Sequence, residues 1–131
     1  MDKGKNDNAD QIKVLLVDDE VGFVDVLSRR LSKRDIRVTT ALNGTEALQS
    51  LRKRDFDVAV LDLKMEDMDG IEVLKILKKM APEMPVIMLT GHGSERAARE
   101  GIEEGAFDYL TKPYNLEGLI EKIKEAICQR R

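Results

Sequence analysis

The sequence holds one cysteine, one histidine and three prolines in 131 residues. A lone Cys128 excludes an internal disulfide framework and a cysteine-rich zinc site. Apolar runs are only a few residues long, so no segment reads as a membrane span. The opening MDKGKNDNAD has no apolar stretch and does not read as a signal peptide. Charge of one sign is also missing. Lys and Arg number 22 against 25 Asp and Glu, a net of −3. Such a chain has no overall positive field for a polyphosphate backbone, so direct nucleic-acid binding is not expected. Apolar residues make up 42%, enough for a core in one domain of this length. A soluble protein in a reducing, cytoplasmic setting is the expectation.

Strand and helix signals alternate along the chain. Residues 1–11 read as a disordered lead. Ile12–Val17 (IKVLLV) is a compact apolar run that fits a buried strand, and a helical period follows at Phe23, Val24, Leu27 and Leu31. Arg37–Ala41 is a weaker, partly polar strand suited to an edge. Asn43-Gly-Thr-Glu46 resembles a capping box, with Ala47, Leu48 and Leu51 on one helix face. Val58–Leu61 is a second buried strand. Asp69 caps a helix with Val73, Leu74, Leu77 and Met80 inward, which Pro82 and Pro85 end. Val86–Leu89 is a third buried strand. Ser94–Glu104 is helical but sparsely anchored, by Ala97, Ala98 and Ile102. Phe107–Leu110 is the fifth strand. Asn115 caps a last helix carrying Leu116, Leu119, Ile120, Ile123 and Ile127. Apolar strands between amphipathic helices predict an α/β fold with a parallel sheet covered on both faces. The pattern leaves open which strands are neighbours.

The functional signal lies where polar groups follow strands. The first strand runs into Asp18-Asp19, the third ends at Asp62, the fourth at Thr90 and the fifth at Thr111-Lys112. In a parallel sheet these carboxyl ends share one edge, where ligands bind. Three carboxylates, a hydroxyl and an ammonium are therefore expected to converge. Clustered carboxylates need compensation, and a hard cation such as Mg²⁺ takes carboxylates together with waters and phosphate oxygens. One carboxylate can then act as a nucleophile toward a phosphoryl group, and Asp62, standing apart from the acidic pair, is the candidate. Thr90 can donate to a phosphoryl oxygen and Lys112 can neutralise another. Taken singly, each residue also reads as a cap, a turn or a solvated charge. Their joint placement points to phosphoryl transfer.

The segments VLLVDDE, LDLKMEDMDG, MLTGHGS and GAFDYLTKPY, in that order and spacing, resemble the receiver domain of two-component response regulators, in the manner of chemotaxis regulators. The resemblance places this domain at residues 12–129, with residues 130–131 as a tail. It implies a flavodoxin-like, doubly wound five-stranded sheet of order 2-1-3-4-5 with five helices. It implies Asp62 as the phosphorylation site and Mg²⁺ as cofactor, held by Asp18, Asp19, Asp62 and the backbone carbonyl of Lys64. Thr90 and Lys112 match the switch hydroxyl and the phosphate-binding lysine, and Tyr109 the rotating aromatic switch.

Implied partners are a sensor histidine kinase or phosphotransfer protein and a downstream effector, with a phosphorylation-dependent homodimer among the states open to it. Two features depart from the commoner pattern. Glu66-Asp67 stands where Pro-Gly is frequent, and Gly91 replaces a commoner Ala. His92, in a glycine-rich loop without a dimerisation helix, reads as a solvated residue and not as a phospho-acceptor. Arg29, Arg30, Lys33 and Arg34 read as a solvated helix face. A haloacid-dehalogenase-type phosphatase would need Asp-x-Asp at the nucleophile, and Lys64 occupies the second position. A receiver that no longer phosphorylates is opposed by the intact Asp18, Asp19, Asp62, Thr90 and Lys112.

Overall fold

A computed structural model describes residues 11–65, 69–91 and 93–130. Residues 1–10 of the expected 1–11 lead, the Glu66-Asp67 loop, His92 and Arg131 lie outside the described residues. Five strands alternate with five helices: β1 (Ile12–Val17), α1 (Val21–Ser32), β2 (Ile36–Ala41), α2 (Gly44–Lys53), β3 (Val58–Asp62), α3 (Gly70–Met80), β4 (Val86–Thr90), α4 (Glu95–Glu103), β5 (Asp108–Thr111) and α5 (Leu116–Arg130). The strands form one parallel sheet of order β2-β1-β3-β4-β5. This is the flavodoxin-like order, with the polar β2 at one edge and the short β5 at the other.

Strand alternation divides the core between the two faces of the sheet. Val14, Leu16, Val58, Val60, Ile87 and Leu89 point to one face, where α1 and α5 cover them with Leu27, Leu31, Leu119 and Ile123. Leu15, Val17, Ala59, Leu61, Val86 and Met88 point to the other, against Ala47 of α2 and Val73, Leu74 and Leu77 of α3. Every residue of β3 and β4 is buried. Two-sided burial explains why these strands read as continuous apolar runs without alternation.

Side-chain caps stand where the sequence places them. Asn43 Oδ1 accepts from Glu46 N at 2.9 Å, and Glu46 Oε1 accepts in return from Leu42 N at 2.8 Å. Asp69 Oδ1 accepts from Ile71 N at 3.0 Å, and Asn115 Oδ1 accepts from Gly118 N. These bonds satisfy donors that open the helices and would otherwise lack a partner. The basic set at the end of α1 is divided: Arg29 pairs with Asp25 at 2.9 Å, and Arg34 pairs with Glu117 of α5.

Two expected core residues face outward. Met80 is 42% exposed and Ile102 is 41% exposed. Met80 ends α3 at the rim of a cavity, and Met84, in the following turn, fills the interior instead. On α4 the buried positions are Ala98 and Gly101, and Ile102 lies one residue further round the helix. Gly101 has a packing role on this face. A Cβ there would overlap the sulfur of Met88, so its absence lets α4 lie close on β4. Gly70 is tighter: a Cβ would stand 2.5 Å from Leu63 Cα and 2.6 Å from Leu63 O. This contact brings the start of α3 against the segment that follows Asp62.

The two glycines should respond differently to substitution. Gly70→Ala drives a methyl into backbone and should lose about 2 kcal/mol or more of stability. Gly101→Ala meets only the flexible end of Met88 and gains about 1 kcal/mol of helix propensity, so its loss should be smaller. Urea unfolding of both variants checks this order; an equal or larger loss at Gly101 would contradict it.

Candidate active site at the carboxyl edge of the sheet

The register of the central strands sets the site. Val17 of β1 lies opposite Leu61 of β3, which carries Asp18 and Asp62 to adjacent positions at the sheet edge. Asp62 lies opposite Leu89 of β4, so Thr90 comes one residue beyond it. Thr90 pairs in turn with Thr111 of β5, directly before Lys112. Asp18, Asp62 and Thr90 are buried at 0%, 4% and 3% exposure in an otherwise apolar set of buried side chains.

Ligand oxygens of Asp18, Asp19 and Asp62 lie within 4.8 Å of one another. Asp18 Oδ1 accepts from Glu20 N at 3.0 Å, whereas Asp18 Oδ2 is buried with no hydrogen-bond partner. Asp62 Oδ1 accepts from Lys64 N at 3.2 Å, and Asp62 Oδ2 lies 3.7 Å from Lys112 Nζ. Thr90 Oγ1 donates to Leu110 O at 3.4 Å, near the long limit for such a bond. The Lys112–Pro113 peptide is cis, and Lys112 N donates to Thr90 O at 2.8 Å. Strand geometry separates the acidic pair, leaving Asp18 fully buried and Asp19 half-buried. Neither Asp18 nor Asp19 supplies the cap of α1; Glu20 holds that position without a side-chain bond.

Burial dominates the electrostatics. It pushes the Asp18 carboxyl up to about 6, with the facing Asp62 charge adding to the rise while the Glu20 N–H and the Lys112 ammonium oppose it. Burial likewise raises Asp62, against the Lys64 N–H and Lys112. The orphaned Asp18 oxygen and the crowded carboxylates make a donor set suited to a hard cation.

The structure thus brings together Asp18, Asp19, Asp62 and Lys112, with Thr90 at the adjoining strand end. Lys64 follows two residues after Asp62 and is bridged to Asp69. Tyr109 stands apart: it is 37% exposed on β5 and is not a core aromatic. Sequence reasoning missed two neighbours of Lys112. Its Nζ lies 5.1 Å from the ring centroid of Phe23, and Phe23 packs edge-to-face on Tyr114, with centroids 6.3 Å apart. The Tyr114 hydroxyl is buried without a partner, and burial, then the Asp18 and Asp62 charges, lifts its pKa above the usual phenol range. The signal was positional: Phe23 lies in the first turn after the acidic pair, and Tyr114 two residues after the lysine.

In cation-free protein, pH should expose the cost of burying this charge. Asp18 has a folded-state pKa of about 6 against an ordinary 3.8. Below the lower value both folded and unfolded states are protonated. Between the two values only the folded state keeps the proton, so stability falls as pH rises, and the loss is complete above the folded pKa. Asp18→Asn should remove this component of the slope and raise stability at neutral pH by roughly 1 kcal/mol or more. Urea unfolding of wild type and variant in chelator from pH 4 to 8 measures it; parallel curves would contradict the assignment.

Known proteins resemble this chain in sequence and in fold. The family model described as the response regulator receiver domain matches residues 14–124. The chain is 36% identical over 124 residues to the transcriptional regulatory protein ZraR of Klebsiella oxytoca, covering 95% of this chain and 28% of that protein. It is 39% identical over 116 residues to the transcriptional regulatory protein GlrR of Escherichia coli K12, covering 88% and 26%. The chain therefore spans about a quarter of the length of these curated relatives. A solved response regulator receiver domain from Clostridium thermocellum superposes with a TM-score of 0.86 at 36% identity, covering 91% of this chain and 96% of that one. Sequence match and strand order coincide, and the chain belongs to the response regulator receiver domains of two-component systems, a family whose general function is that of a phosphoacceptor switch.

Proposed function

We propose that Asp62 is the phospho-acceptor, taking a phosphoryl group from the phosphohistidine of a sensor kinase or phosphotransfer protein. The observation that carries this reading is the position of Asp62: it is clustered with Asp18 and Asp19, and its Oδ2 lies 3.7 Å from Lys112 Nζ. A carboxylate oxygen of Asp62 attacks phosphorus, the P–N bond of the phosphohistidine breaks, and the departing imidazole takes up a proton. Asp18, Asp19, Asp62 and the Lys64 carbonyl are the proposed Mg²⁺ ligands. Bound Mg²⁺ neutralises charge shared by these carboxylates and the phosphoryl oxygens. Lys112 meets a further phosphoryl oxygen as charge gathers on it. Buried surroundings strengthen each of these interactions.

Thr90 is the proposed first element of the switch. Its long bond to Leu110 O is readily exchanged for one to a phosphoryl oxygen. Movement of Thr90 opens space beside β5 for Tyr109, which now stands outward. The responding surface is α4, β5 and α5. α4 is lightly held, burying only Ala98 and Gly101, so shifting it requires little free energy. A downstream effector, or a second phosphorylated copy, reads that surface. The domain acts as a signalling switch that catalyses only its own aspartyl phosphorylation and dephosphorylation, without contacting nucleic acid, in the cytoplasm. No helix among the described residues is long and apolar enough to cross a membrane.

Incubation with acetyl phosphate and Mg²⁺ should add the mass of one phosphoryl group. Reductive trapping and peptide mapping should place it on Asp62. A stable modification mapping to Asp18, Asp19 or elsewhere in the wild-type protein would overturn the assignment.

A further inference from the structure

We propose that Phe23 is a positioning residue for phosphoryl transfer, holding the Lys112 ammonium beside Asp62 through the face of its ring. The inference rests on the role given to Lys112 above. Lys112 is a half-buried lysine at the rim of the site, its side chain 32% exposed. A solvated lysine of that kind samples many rotamers, and ordering it carries an entropic penalty. Two groups restrict it. Asp62 Oδ2 lies 3.7 Å from Nζ, and the Phe23 centroid lies 5.1 Å from it. The second distance is within the range at which a ring face attracts an ammonium.

The ring is itself fixed. Phe23 is half-buried in the first turn of α1, and its plane stands at 90° to that of Tyr114. Tyr114 is half-buried and follows Lys112 and Pro113 directly in the chain, so the Phe23–Tyr114 pair stands next to the lysine. These residues, with Leu27, Pro113 and Leu116, line one groove between α1 and the start of α5. A carboxylate alone would hold the ammonium only until Asp62 becomes an acyl phosphate. The ring gives Nζ a second favourable contact that is unchanged by that step. The ammonium can then move from carboxylate to phosphoryl oxygen without first being released into water. An aliphatic residue at position 23 would fill the same space and offer no such contact.

Rates of phosphoryl uptake from acetyl phosphate, with Mg²⁺ present, test this in a double-mutant cycle. Phe23→Leu should slow uptake roughly three- to tenfold. Phe23→Tyr, which keeps the ring, should restore it. Lys112→Ala, followed at higher acetyl phosphate, should be slow, and adding Phe23→Leu to it should have no further effect. A purely structural role would give the same fold-loss in both backgrounds, and that result would overturn the inference, as would a wild-type rate for Phe23→Leu.

A second measurement needs no variant. In lysine-labelled wild-type protein, the ε-methylene protons of Lys112 should be shifted upfield by the Phe23 ring. An ordinary lysine chemical shift would also overturn the inference. A wild-type protein that takes up no phosphoryl group would contradict the assigned function of Asp62, while the lysine chemical shift would still decide the placement of Lys112.

Discussion

The structure depends on holding two buried carboxylates side by side. Asp18 and Asp62 end adjacent parallel strands in register, and neither can turn to solvent. Each has one oxygen tied to a backbone N–H two residues on, from Glu20 and from Lys64. What remains is one buried Asp18 oxygen without a hydrogen-bond partner and one Asp62 oxygen 3.7 Å from the Lys112 ammonium. Desolvation and mutual repulsion both oppose the ionised pair. β1, β3 and β4 can sustain that strain because their side chains are packed on both faces along almost their whole length. A rigid apolar sheet thus carries a locally unfavourable charge cluster, a separation of stability from function common at active sites.

Rigidity decreases across the sheet. β3 and β4 are wholly buried, whereas β5 alternates between half-buried and exposed positions, and α4 rests on an alanine and a glycine. The chemical groups stand on the rigid side. The proposed readout occupies the compliant side. Thr90 joins the two: it ends a buried strand, yet its hydroxyl is spent on one long bond to β5. A phosphoryl group at Asp62 need alter the balance between two arrangements by only a few kcal/mol to change which is populated.

Much of this was legible in the sequence because it is local. Buried strands read as short apolar runs, caps as Asn43, Asp69 and Asn115, and the site as polar residues directly after strands. Strand order was not local; alternation alone left it open, and only the family resemblance supplied it. Periodicity misplaced Met80 and Ile102 because it treats all turns of a helix alike, whereas the end of a helix can overhang the core. The packing of Gly101 on Met88 was not legible because the two residues lie on different elements. Phe23 beside Lys112 was invisible for the same reason. The acidic pair showed that one strand end carries charge, but the fold decided that Asp18 is the buried member.

A carboxylate cluster strained without a cation should be relieved by Mg²⁺. Urea unfolding at pH 7.5 and constant ionic strength, with Mg²⁺ varied against a chelated reference, tests it most directly. Stability should rise with the logarithm of Mg²⁺ concentration once sites begin to fill, reaching about 2.7 kcal/mol at a hundredfold excess over Kd. The rise should be largely lost in Asp18→Asn. A midpoint that does not move with Mg²⁺ would show that the cluster is balanced within the protein itself, and would contradict the account.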